Sequence, residues 1–267
     1  MKPNDIALVV FDLAGTLLDF GCQAPAGAFV EAFRQRGVTV SLREARGPMG
    51  LHKKDHIRAM LRTDAVAEKW KAAAKRDWAE ADVEALYGLV TPMQVAAAKV
   101  HCELVPQALD CFHAMKAMNL KIAVSTGYFR EAAEICFEAL ERQGFTPDFR
   151  IGADEVPAGR PAPWMIFRCM EALNVYPPST VVKIGDTVVD VHDGITTGAW
   201  SLAVIDSSSE MGLPAAEFAA LTLEERTTRR TEVRARFTEA GAHAVLDDLT
   251  TLPSTILAIK RGDFTRS

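Results

Sequence analysis

The chain has 267 residues, of which 49% are hydrophobic and 24% charged, and it carries a net charge of −5 at pH 7. That length can bury a full core in one large or two modest domains, the apolar share excludes a disordered chain, and the negative balance removes a general pull toward nucleic acid. No apolar run approaches the roughly 20 residues of a membrane helix. The opening Met1-Lys2-Pro3-Asn4-Asp5 lacks a leader-peptide layout, so a cytoplasmic protein with no membrane or nucleic-acid partner is expected. The five cysteines (Cys22, Cys102, Cys111, Cys136 and Cys169) are scattered, which points to reduced thiols. Arg226, Arg229, Arg230, Arg234 and Arg236, interrupted by Glu232, read as a solvated helix face.

In chain order, Ile6 to Phe11 is a short apolar run of the kind that forms a strand buried on both faces of a parallel sheet, with Asp12 at its carboxyl end. After Asp19 the periodicity becomes helical, as in Ala26, Phe29, Val30 and Phe33 before Gly37, and no convincing strand follows until about Cys102. A helix containing Leu109, Phe112 and Met115 then precedes strand-like runs at Lys121 to Ser125, Phe149 to Ile151, Val181 to Ile184 and Ser201 to Ile205. Residues after about Pro214 read as a helical excursion, a last strand at Ala244 to Leu246 and a frayed tail. The predicted architecture is a doubly wound parallel α/β sheet with an all-helical cap inserted after its first strand. Residues 1–20 and 103–267 form the core, 21–102 form the cap, and hinges fall near 20–24 and 101–106. Ligands of open α/β sheets bind at the carboxyl ends of the strands.

Those ends carry polar residues of a matching kind: Asp12 after Val9-Val10-Phe11, Thr126 after Ala123-Val124-Ser125, and Asp186 after Lys183-Ile184-Gly185, with Arg160 between the last two. Two carboxylates, a hydroxyl and a guanidinium suit a phosphoryl group bridged to the protein by a hard divalent cation. Each residue alone has a plainer use, as a helix cap, a turn former or a surface charge. Their order and spacing together are what carry the reading.

Phe11-Asp12-Leu13-Ala14-Gly15-Thr16, then Thr126-Gly127, Arg160-Pro161 and Gly185-Asp186-Thr187-Val188-Val189-Asp190, resemble the motifs of the haloacid dehalogenase superfamily across almost the whole chain. The resemblance implies a Rossmannoid core in which Asp12 is a nucleophile and shares Mg²⁺ with the Ala14 carbonyl and Asp186. It further implies that Asp190 supports the metal shell through water, that Thr126 and the Gly127 N–H hold phosphoryl oxygens, and that Arg160 offsets charge between nucleophile and phosphate.

Most phosphatases of the superfamily have a second Asp at position 14 to protonate an oxygen leaving group, and general acid catalysis of that kind is worth about 10²–10⁴ in rate. Ala14 cannot supply it. A carbon leaving group instead needs an electron sink, which a lysine provides by condensing with an aldehyde beside a phosphonate. The cap segment Gly47-Pro48-Met49-Gly50-Leu51-His52-Lys53-Lys54-Asp55-His56 is similar to that of the phosphonoacetaldehyde hydrolase family, as are Gly21-Cys22, Thr126-Gly127-Tyr128 and Val156-Pro157-Ala158-Gly159-Arg160-Pro161. The resemblance selects Lys53 for the imine and places Met49, Cys22 and Tyr128 around the substrate. It also implies a homodimer formed through the cap.

On a helix His56 shares a face with Lys53 and could serve it, whereas Lys54 points about 100° away. The readings set beside this one are a superfamily phosphatase acting on an activated ester or acyl phosphate, and a non-catalytic scaffold in which Ala14 marks decay. His52, Leu13, Leu17 and the Asp206-Ser207-Ser208-Ser209 stretch depart from the family pattern and could alter the pocket or subunit contacts.

Overall fold

The computed structural model describes residues 5–264; the first four residues and the expected fraying of the last three lie outside them. Six parallel strands form one sheet: β1 (Leu8–Phe11), β2 (Lys121–Thr126), β3 (Phe149–Gly152), β4 (Val181–Gly185), β5 (Trp200–Val204) and β6 (Ala244–Leu246). Their order is β3-β2-β1-β4-β5-β6, so β1 sits in the middle and the chain reverses direction of travel on either side of it. The expected strands are all present, with ends shifted by a residue or two.

β1 is buried throughout and alternates its side chains between two cores. Val9 and Phe11 join Ile122, Val124, Val182 and Ile184 on one face, beneath α6 (Ala108–Ala117) and α7 (Arg130–Arg142). Leu8 and Val10 join Ala123 and Ile151 on the other, against α8 (Trp164–Ala172). A third apolar cluster links β5 to α9 (Val188–Thr197) and α11 (Leu223–Glu239), with the short α10 (Ala215–Ala220) at its edge.

Ahead of its end the tail forms a helix that the sequence reading did not name, α12 (Leu252–Arg261), with Leu252, Ile256 and Ile259 buried on one side. Their i, i+4, i+7 spacing is helical and the Gly262 that follows ends the helix in the left-handed region. The arginine-rich run is also less solvated than expected. Arg230 is bound by Asp206 and Asp247, and Arg234 by Asp247.

Between β1 and α6 the chain is helical: α1 (Gln23–Gln35), α2 (Leu42–Arg46), α3 (Lys53–Arg62), α4 (Asp64–Ala74) and α5 (Glu80–Ala98). These helices share a cluster of their own, with Phe29, Phe33, Ile57, Met60, Trp70 and Leu86 at its centre. The two connections to the sheet run side by side. Val105 N–H donates to Leu17 C=O at 2.8 Å and Asp19 N–H to Glu103 C=O at 3.2 Å. Asp19 also caps α1, its carboxylate accepting from the N–H groups of Gln23 and Ala24 at 2.9 and 3.0 Å. Among the described residues no helix is long and apolar enough to cross a membrane.

Phe33 is fully buried and meets Trp70 edge to face, with ring centroids 6.3 Å apart. Phe33→Ala should destabilise the protein by about 3–5 kcal/mol in urea unfolding. A loss under about 1 kcal/mol would contradict a close-packed helical core.

Candidate active site

Parallel pairing sets the site, because Phe11 lies level with Val124 of β2 and with Ile184 of β4. The strands therefore deliver Asp12, Thr126 and Asp186 together at their carboxyl ends. Arg160 reaches the same point from the loop before α8. It donates to Asp12 Oδ1 at 2.6 Å, and to Ser125 C=O and Oγ at 2.6 and 2.8 Å. Asp190, one turn into α9, lies 2.8 Å from both Arg160 and Lys183 and accepts from Thr187 Oγ1 at 2.6 Å. All of these side chains are buried.

The charges compete under burial. Asp12 is raised, first by burial and then by the negative Asp190, against the pull of Arg160 and Lys183. Asp186 is raised well above the usual carboxylate range by burial and by the charges of Asp12 and Asp190. For Asp190 burial acts upward too, but Arg160 and Lys183 outweigh it and the net direction is down. Burial would lower the Arg160 guanidinium, yet Asp190, Asp12 and Asp193 raise it.

Carboxylate oxygens of Asp12, Asp186 and Asp190 all lie within 4.8 Å of one another. A hard divalent cation suits this oxygen set, since it would relieve the repulsion that burial makes costly. Asp190 is paired with two cations and Asp12 with Arg160, while Asp186 has no cationic partner among the described residues, so a cation would relieve Asp186 most. The backbone after Ala14 comes close: a Cβ on Gly15, whose φ is +84°, would stand 2.2 Å from Asp186 Oδ2.

The helical insertion supplies the other wall. Lys53 begins α3, is 3% exposed, and sets Nζ 4.8 Å from the centre of the Tyr128 ring. No carboxylate pairs with it among the described residues, and burial brings the amine down to about 8. Lys54 instead turns outward to Glu84, at 2.8 Å. Cys22, Met49 and Ala26 form a small apolar cluster against which Ala14 packs. Burial raises the Cys22 thiol and the Tyr128 phenol well above their usual values, so both stay neutral.

His56, expected to serve Lys53, lies behind it rather than in the cavity lining, with Nδ1 buried and without a hydrogen-bond partner among the described residues. It is fully buried, stacks on Phe29 with ring centroids 3.8 Å apart, and Nε2 lies 2.8 Å from Ala45 C=O. Burial first, and the nearby Lys53 charge second, keep the imidazole neutral. It is not among the residues that line the cavity, which are Asp12, Ala14, Cys22, Met49, Lys53, Thr126, Gly127, Tyr128, Arg160 and Asp186, with Pro25, Gly50 and Thr187.

The loop before α3 lies directly on the strand ends. A Cβ on Gly127 would stand 2.9 Å from Gly50 C=O, and one on Gly50 2.7 Å from Thr187 Oγ1. The space left among these groups is about 20 Å³, room for one water.

Sequence reasoning missed Lys183, Asp193 and the N–H of Ser209. Lys183 is fully buried inside β4 and Asp193 lies 3.4 Å from Arg160 Nε, its carboxyl pushed up to about 6 mainly by burial. A lysine in the middle of Val-Val-Lys-Ile-Gly, and an aspartate one turn after Asp190, were the available signals. Ser209 N–H donates to Asp186 Oδ2 at 2.8 Å and Ser207 Oγ to Gly15 C=O at 2.7 Å, so the stretch that departs from the family pattern holds the Asp186 carboxylate in place.

A doubly wound parallel sheet whose strand ends join a buried carboxylate cluster to a guanidinium, under a helical insertion, defines a phosphoryl-handling hydrolase fold. A family model of haloacid dehalogenase-like hydrolases matches residues 6–192. A phosphonoacetaldehyde hydrolase of Syntrophobacter fumaroxidans is 42% identical over 94% of this chain and 91% of its own, and one of Nitratidesulfovibrio vulgaris is 38% identical over 97% and 94%. The crystal structure of a phosphonoacetaldehyde hydrolase-like protein from Oleispira antarctica superposes with a TM-score of 0.93 at 32% identity, covering 98% of this chain and 96% of its own. The chain belongs to the haloacid dehalogenase-like hydrolases and, within them, to the phosphonoacetaldehyde hydrolase family.

Lys183→Met keeps the size of the side chain but strips Asp190 of one of its two cations. It should cost about 3–5 kcal/mol in urea unfolding, the range for breaking a buried pair. A change below about 1 kcal/mol would mean that Arg160 alone compensates Asp190.

Proposed function

We propose that the protein hydrolyses the carbon–phosphorus bond of phosphonoacetaldehyde to acetaldehyde and phosphate. The observation that carries this reading is Lys53, a buried amine without a carboxylate partner, facing a phosphoryl site that has Ala14 in place of an acid. The named relatives support it. A phosphatase acting on an activated ester would leave Lys53 with no task.

In the proposed reaction the neutral Lys53 amine adds to the aldehyde and loses water to form an imine, which is protonated to the iminium. Asp12 then attacks phosphorus, and the electrons of the breaking C–P bond flow into the iminium to give an enamine. Protonation of the enamine carbon and addition of water release acetaldehyde and the free amine, while a second water hydrolyses the aspartyl phosphate to phosphate and Asp12. Arg160, Thr126 and the Gly127 N–H hold the phosphoryl oxygens. Ala14, Cys22 and Met49 give the carbon side of the cavity an apolar surface, and Tyr128 faces the amine. A divalent cation, proposed as Mg²⁺ and held by Asp12, Asp186 and the Ala14 carbonyl with Asp190 behind them, supplies charge neutralisation between two anions when bound.

We assign residues 21–102 to a cap that opens about the paired connections, over a core of residues 1–20 and 103–267. Two copies are proposed to pair through the caps, in the cytoplasm.

The direct test is release of phosphate from phosphonoacetaldehyde with Mg²⁺ and with EDTA. Activity should require the metal, and Lys53→Arg should lower kcat/KM on the order of 10⁴-fold or more, while Lys54→Arg retains most of it. Faster hydrolysis of ordinary sugar phosphates than of phosphonoacetaldehyde by the unaltered enzyme would overturn the reading.

The pH profile has a definite sign. The reactive form of Lys53 is neutral and its pKa is about 8, so activity should rise roughly tenfold per pH unit below that value and level off above it. A limb near the ordinary lysine value of about 10.4 would contradict a buried, unpaired amine.

A further inference from the structure

A second cavity, of about 400 Å³, lies in the seam between α2 and α11. Arg43 and Arg46 of α2 face Arg229 and Arg236 of α11 across it, and the loop of residues 209–212 forms its floor. It shares no lining residue with the reaction cavity. The one carboxylate in its lining, Glu210, is spent on Arg236 at 2.8 Å.

Of the remaining arginines, Arg229 has Glu225 and Glu232 near it on α11 but not across the seam, and Arg46 feels Asp19 and Glu217 only from a distance. None of Arg43, Arg46 and Arg229 is ion-paired among the described residues. Arg46 is half-buried and reaches only neutral oxygens, Gln23 Oε1 at 3.1 Å and Gly21 C=O at 3.5 Å. Its Nε is buried with no hydrogen-bond partner. The loop leaves it little freedom, since a Cβ on Gly212 would lie 3.4 Å from both Cδ and Nε of Arg46. A guanidinium fixed in this way, with Arg43 and Arg229 lining the same cavity, suits an anion better than a neutral partner.

We infer that this arginine-lined seam binds a tetrahedral oxyanion of the phosphate or phosphonate class, at a site separate from the reaction cavity. Several guanidinium forks around one cavity match the oxygens of such a dianion, where a halide or a monocarboxylate would satisfy only part of them. The bound anion bridges α2 of the helical insertion to α11 of the sheet side. It also rests on the loop whose Ser209 N–H holds Asp186, so its occupancy favours the closed arrangement.

Equilibrium dialysis of the full chain with Mg²⁺, against inorganic phosphate and separately against methylphosphonate, tests this. The unaltered protein should bind one equivalent per chain more than the R43Q/R229Q variant, and the anion that shows the difference identifies the source. Both substituted arginines are exposed. Arg229→Gln alone, a milder change, should weaken that equivalent at least fivefold. Equal stoichiometry and affinity in the unaltered protein and the double variant, with both anions, would overturn the inference.

Discussion

Four carboxylates, Asp12, Asp186, Asp190 and Asp193, are buried at one end of a parallel sheet, where each raises the cost of ionising the next. Such a cluster persists only where cations are brought to it. Arg160 touches three of the four and Lys183 approaches one from within its own strand. Burial and mutual repulsion push Asp12 and Asp186 up, so a divalent ion bound between them would be what keeps the nucleophile ionised. The placement of β1 between β2 and β4, the path of the loop that carries Arg160, and the packing of α9 are the structural means by which this balance is kept.

The helical insertion follows the opposite rule. Lys53 is buried with no carboxylate paired to it among the described residues, and the cost of burying its charge outweighs the pull of Asp12 and Asp186, which makes the ammonium easier to deprotonate. One cavity thus holds the Asp12 and Asp186 carboxyls, whose ionisation burial opposes, and an amine brought close to neutrality. The contact between Gly50 and Gly127 brings them together, and glycine at both positions is what lets the two backbones meet.

Much of this was legible in the sequence. Residues that follow apolar runs fall at strand ends whatever the rest of the chain does, which made Asp12, Thr126 and Asp186 visible, whereas Lys53 was picked over Lys54 by the family resemblance and helical phase added only that the two diverge. What escaped depends on contacts between distant segments. Lys183 reads as an anomaly inside a strand until α9 brings Asp190 to it, and Ser209 acts through a backbone N–H that no side-chain pattern records. His56 shares a helical face with Lys53 as the spacing predicted, but Phe29 and Ala45 occupy its ring, a fact that only the packing of α1 and α2 against α3 decides. The final helix was hidden because its apolar spacing is short and follows a break in the pattern.

The central claim is that the carbon–phosphorus bond breaks while the aldehyde is bound covalently to one particular amine. Borohydride added during turnover of phosphonoacetaldehyde would reduce an imine to a stable secondary amine, and mass spectrometry of the digested protein would locate it. The account predicts inactivation with a single two-carbon adduct on the peptide bearing Lys53, at the Lys53 position. An enzyme that releases phosphate from this substrate yet yields no adduct, or carries it on Lys54, would contradict the account.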